Sequence, residues 1–169
     1  MAKPPPTRQV ADRGHAFSRN PGNQIWRGCL RFLRSSSNRS MRFLLDTCVL
    51  SDFAQGQRQT LERIKAAAPE DLAASAITQM EIEYGLLLNS KLARRLGPVM
   101  DAFLGTIRVL LYDDGATEAT AKARAILKRR GRPMGAYDIL IAGTALAHDL
   151  ILVTSNFREF RQVEGLIFN

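Results

Sequence analysis

Three acidic residues, Asp46, Glu81 and Asp138, and one amide, Asn156, stand where this chain could do chemistry. Asp46 ends the short apolar run Arg42–Leu45, and Asn156 follows the apolar run Ile151–Thr154. Glu81 and Asp138 fall in the first turns of helical patterns that follow short connections. Carboxylate oxygens are hard ligands suited to Mg²⁺ or Mn²⁺. Several acids brought together repel, and a divalent cation relieves the repulsion. The cation also polarises a phosphoryl oxygen and supplies hydroxide for in-line attack. Such chemistry needs no Cys, His or Ser nucleophile. From Met41 onward the only histidine is His148, near a helix end.

Each acid also has a structural role open to it. Thr78-Gln79-Met80-Glu81 matches a capping box, in which Thr78 caps the helix and Glu81 reaches back to its backbone N–H. Asp138 lies close after Gly135, where a carboxylate favours the positive end of a helix dipole. Asp46 could cap a helix over Cys48–Phe53. Spacing alone leaves the catalytic and capping readings both standing. Other chemistries lack their marks. There is no GxGxxG after a strand, no Walker A run and no GxSxG elbow. An aspartyl-phosphate mechanism at Asp46 commonly carries a second Asp two residues on, and that position is Cys48.

The elements that must position these residues alternate. Strands are expected at Arg42–Leu45, Leu72–Ala74, Ile107–Leu111, Ile151–Thr154 and Gly165–Phe168. Helices are expected at Cys48–Phe53, Leu61–Ala68, Thr78–Leu88, Leu92–Leu104, Ala116–Arg130 and Ala136–His148. Pro69 stops the second helix, Gly97-Pro98 interrupts the fourth, and Gly131 ends the fifth. Strands separated by helices imply βαβ units, with helices on both faces of a parallel sheet. In such sheets the functional crevice lies beyond the carboxyl ends of the strands.

The formal net charge of +8 is concentrated at one end. Residues 1–40 hold eight basic residues against one acid, Asp12, and include Pro4-Pro5-Pro6 and Ser35-Ser36-Ser37. They read as a basic, disordered extension preceding a domain at 41–169. The extension is a nucleic-acid-binding arm, a targeting peptide, or a stretch that is not translated, since the strand pattern starts directly at Met41. Residues 41–169 are close to neutral, with 16 basic and 15 acidic residues. Within them no acid falls between Glu118 and Asp138, where Lys128, Arg129, Arg130 and Arg132 offer an RNA contact or a solvated helix face. No apolar run approaches the roughly 18–20 residues of a membrane span. Neither Cys29 nor Cys48 belongs to a metal or CxxC spacing, which suits a reduced, cytoplasmic protein.

Four segments in order carry a family resemblance. They are Met41–Thr47, Ser75–Gly85, Gly131–Ala142 and Leu152–Phe160. Together they resemble PIN-domain nucleases of the VapC type, the toxins of bacterial toxin–antitoxin pairs. The resemblance implies an α/β fold, a PIN-like three-layer α/β/α arrangement on a mainly parallel sheet. It implies a Mg²⁺- or Mn²⁺-dependent endoribonuclease that leaves a 3′-hydroxyl and a 5′-phosphate. Asp46 and Asp138 would be the main metal ligands, and Glu81 would bind metal or orient the attacking water. Asn156 would hold water or a phosphate oxygen, with Thr154 and Thr47 as supporting hydroxyls. Relatives with similar third and fourth motifs act on transfer RNA. A VapB-like antitoxin and a homodimer would be partners, the dimer using the apolar helices of Ile82–Leu104 unless these are core. Cys48, where Asn is common, and the long extension depart from the pattern. DNA cleavage, or a catalytically inactive PIN-fold module that keeps its acids as caps, is the alternative.

Overall fold

A computed structural model describes residues 41–169, and the expected extension at 1–40 lies outside the described residues. The four strands are β1 (Phe43–Leu45), β2 (Leu72–Ser75), β3 (Arg108–Leu110) and β4 (Ile151–Val153). The helices are α1 (Thr47–Gln55), α2 (Arg58–Ala66), α3 (Ala76–Leu88), α4 (Ser90–Leu104), α5 (Asp114–Arg129), α6 (Ala136–Ala147) and α7 (Phe157–Phe160). The sheet order is β3-β2-β1-β4, and every pair is parallel. Phe43 lies opposite both Leu72 and Ile151.

Successive strand side chains point to opposite faces. Leu45, Leu72 and Ala74 pack with α1 to α4, whereas Leu44, Ala73 and Leu152 pack with α5 to α7. Two cores therefore sandwich the sheet, giving the expected three layers. Phe53 and Phe103, both fully buried, meet with ring centroids 4.2 Å apart in the first core. The tilted offset is a favoured aromatic arrangement. In the second core, Gly143 lets α6 approach α5 closely. A Cβ there would lie 1.8 Å from Thr120 Oγ1 and 3.0 Å from the Ala116 carbonyl oxygen.

Two expectations need correction. Helix α4 runs through Gly97-Pro98 without interruption, with Pro98 inside it. Leu96, Met100 and Phe103 are buried on either side of the proline, and that shared apolar face offsets the missing backbone bond. The strand expected at Gly165–Phe168 shrinks to one parallel bridge, between Leu152 and Phe168. The chain end still follows β4, since Leu152 N donates to Ile167 O and Asn169 N to Leu152 O, each at 2.9 Å.

Candidate active site

Because all strands run the same way, the residues at their carboxyl ends share one edge of the sheet. Asp46 follows β1, Ser75 ends β2 and Thr154 follows β4. Asp46 is only 4% exposed. Its Oδ1 accepts from Thr47 N at 2.7 Å and so caps α1, one of the two roles open to it. Its Oδ2 accepts from Thr154 Oγ1 at 2.7 Å and from Cys48 Sγ at 3.2 Å. A carboxylate has about four acceptor positions, so three bonds orient it and leave capacity to accept more. Thr154 Oγ1 also accepts from Asn156 N at 2.9 Å, and Cys48 Sγ accepts from Ser155 N at 3.3 Å. Cys48, a departure from the family pattern, thus fastens the turn after β4 to Asp46.

Glu81 is not a cap. The cap of α3 is Ser75, whose Oγ accepts from Thr78 N at 2.9 Å and pairs with the Thr78 hydroxyl at 2.8 Å. Strand β2 passes into α3 with no loop between them, so its last hydroxyl takes the capping position three residues earlier than the sequence suggested. Glu81 then lies too far along the helix to reach an unpaired N–H of the first turn. It accepts instead from Thr47 Oγ1 at 2.6 Å. Thr47 therefore links the cap of α1 to Glu81 on α3.

Asp138 is the third residue of α6, whose N-cap is Gly135. Burial pushes its carboxyl above the usual Asp range, and the negative charges of Asp46, Glu81 and Glu159 push it further. The charges that raise it are those of other acids, so the three expected acids share one electrostatic neighbourhood. Glu159 on α7 is a fourth acid there, to which the sequence reading gave no role. Its signal was masked, because Asn156-Phe157-Arg158-Glu159 has the spacing of an ordinary helix start. Asn156 is the N-cap of α7 but makes no side-chain cap bond. The cluster is open as it stands. Among the described residues no group of three or more His, Cys, Asp or Glu is drawn together tightly enough to hold a metal ion.

The basic stretch lies at the same end of α6. Asp113 approaches His148 at 3.5 Å and Thr120 lies against Gly143, so α5 and α6 pack antiparallel. The six-residue connection 130–135 then brings the exposed Lys128, Arg129 and Arg132 toward the start of α6, which carries Asp138. Arg130 pairs with Glu164 at 2.7 Å. On α3 and α4 the expected apolar surface is mixed. Ile82, Leu96, Met100 and Phe103 are core, whereas Tyr84, Leu87 and Leu88 are exposed by 60%, 84% and 70%.

The model of the PIN domain matches residues 43–166, which contain all these acids. The chain belongs to the PIN-domain family. A relative from Shigella flexneri named tRNA(fMet)-specific endonuclease VapC is 36% identical over 126 residues, spanning 75% of this chain and 95% of the relative. Among solved structures, DNA-bound VapBC from Salmonella typhimurium superposes with a TM-score of 0.71 at 34% identity, covering 76% of this chain and 97% of the other. A toxin-antitoxin complex from Klebsiella pneumoniae superposes with a TM-score of 0.59 at 27% identity, covering 73% and 94%. This PIN domain is thus of the VapC kind in sequence and in fold. No helix among its described residues is long and apolar enough to cross a membrane.

Proposed function

We propose that this PIN domain is a divalent-metal-dependent endoribonuclease, acting in the cytoplasm as the toxin of a toxin–antitoxin pair. The observation that carries the reading is Glu81. Relieved of capping by Ser75, it sits on a hydrogen bond from Thr47 and shares the Asp46 and Asp138 neighbourhood. A carboxylate released from capping, in the electrostatic neighbourhood of two others, suits a cation site.

The donor set fits Mg²⁺, or Mn²⁺ in its place, because hard oxygens suit these ions and the like charges on Asp138 call for a counter-ion. Asp46 and Asp138 would hold the ion, with Glu81 as a further ligand or as the group that orients water. When bound, it would supply Lewis-acid polarisation of a phosphoryl oxygen and a more acidic water. The chain's own residues do the rest. Thr154 and Cys48 hold Asp46 in one orientation, and Thr47 holds Glu81. Glu81 would take a proton from an attacking water, and the Asn156 amide would donate to a phosphate oxygen.

The substrate is RNA, with transfer RNA as the leading candidate by analogy with the Shigella flexneri relative. Lys128, Arg129 and Arg132 would contact phosphates beside Asp138, joined by Arg130 once its pair with Glu164 opens. A VapB-like antitoxin would cover the acids, and two copies would pair through the exposed Tyr84, Leu87 and Leu88 of α3. The test is expression from an inducible promoter with sequencing of RNA 5′ ends. Growth arrest with new 5′-phosphate ends supports the reading. No arrest and no new ends overturn it in favour of an inactive interaction module.

A further inference from the structure

We propose that Gly135 is a positioning residue for Asp138, kept without a side chain so that the Asp138 carboxylate can lie over the start of α6. An ideal Cβ on Gly135 would stand 2.9 Å from Asp138 Oδ2 and 3.4 Å from its Cγ. Observed Cβ atoms do not approach that closely, so any other residue at 135 shifts the carboxylate.

Backbone conformation does not explain the glycine. Its φ of −52° and ψ of 144° are open to every residue. Capping does not explain it either. Helices α1, α3, α4 and α5 start on Asp46, Ser75, Asn89 and Asp113, each accepting from a backbone N–H. Helix α6 starts on Gly135 with no side-chain cap bond. Ser, Asp or Asn at an N-cap stabilises a helix more than glycine does. Each of them would also bring a Cβ into the Asp138 carboxylate. Helices α2 and α7 also start without a side-chain cap bond, so it is the close approach to Asp138, not the missing cap, that singles out Gly135.

The obstruction is soft, because the far end of a side chain can rotate where a backbone atom could not. A larger residue at 135 therefore leaves the fold intact and shifts the carboxylate from its place over the start of α6. The consequence falls on the site alone. Misplacing a reacting group by about 1 Å costs up to about 10²-fold in rate.

This inference rests on the metal-site reading, and its test separates the two. The wild-type protein, Gly135→Ala and Gly135→Ser are compared in two assays. One is the rise of melting temperature with added Mn²⁺ in the absence of RNA. The other is RNA cleavage over the same Mn²⁺ series. Without metal, Gly135→Ser should melt at or above the wild-type temperature because it restores a cap, and Gly135→Ala within a few degrees of it, since alanine caps less well than glycine but restricts the unfolded chain. Both should need about tenfold more Mn²⁺ for half-maximal stabilisation and cleave about tenfold or more slowly. A merely structural glycine would lower the metal-free melting temperature and leave the Mn²⁺ midpoint where it was, and that outcome overturns the inference. So do variants with wild-type midpoint and rate. If the wild type itself neither cleaves nor responds to Mn²⁺, the metal-site reading falls and takes this inference with it.

Discussion

Thr47 Oγ1 donates a 2.6 Å hydrogen bond to Glu81 Oε2, across 34 positions of sequence, from the first residue of α1 to the second turn of α3. Charge-assisted bonds of this length orient a carboxylate well. Thr47→Val keeps the shape and removes the donor. The Asp46 cap on the Thr47 N–H is untouched, so the melting temperature should stay within a few degrees. Cleavage should fall by about 10- to 100-fold, as for other groups that orient a metal ligand. Thr47→Ser should recover most of it. Initial rates with the three proteins at fixed Mg²⁺ decide the matter.

The charges around Asp138 make a prediction about pH. Its carboxyl is raised by burial and by Asp46, Glu81 and Glu159, so the folded protein holds this proton more tightly than the unfolded chain. The favourable contribution is complete below the unfolded value of about 3.9 and is lost as pH rises through the raised folded value. Asp138→Asn carries no such proton. Without metal it should therefore gain stability relative to wild type as pH rises from about 4 to about 7. Melting curves of both proteins in chelator across that range give the sign. Added Mn²⁺ should reverse the order at the upper end.

The contact of Gly143 with Thr120 predicts a loss of stability rather than activity. Gly143→Ala places a methyl group where Thr120 and the Ala116 carbonyl already are. Backbone atoms cannot turn aside, so α5 and α6 must separate. Overpacking of this kind costs about 1–3 kcal/mol. Urea unfolding should show a lower midpoint with little change of slope.

Leu87 and Leu88 bear on assembly. Both are exposed, so Leu87→Glu should change the stability of a single chain by no more than about 0.5 kcal/mol. If two copies meet there, the same change should shift the protein from dimer to monomer. Light scattering on the eluting protein reads the mass directly.

Much of this arrangement can be read in the residues themselves. Short apolar runs mark β1 and β4, and the polar residue that follows each expected run, Asp46 or Asn156, already points to one edge of a parallel sheet. Ser75 and Thr78 are both good caps three residues apart, so the local sequence does not place the start of α3. Only the absence of a loop after β2 decides between them. The continuity of α4 depended on burial of Leu96, Met100 and Phe103, a tertiary effect that overrides the local signal of Gly97-Pro98. Glu159 was hidden in a helix-start pattern, and its proximity to Asp138 is a matter of folding alone. The close approach of the Asp138 carboxylate to Gly135 is likewise a matter of folding alone.

The central claim is that Glu81 serves the acid cluster rather than the helix that carries it. Glu81→Gln tests it most directly, since glutamine keeps the size and still accepts from Thr47. Purified wild type and variant are given transfer RNA over a Mg²⁺ series, with melting temperatures taken alongside. The account predicts an unchanged fold, because Ser75 caps α3, with Mg²⁺-dependent cleavage reduced by about 10²-fold or more. Cleavage by Glu81→Gln at the wild-type rate and the same Mg²⁺ dependence would contradict it.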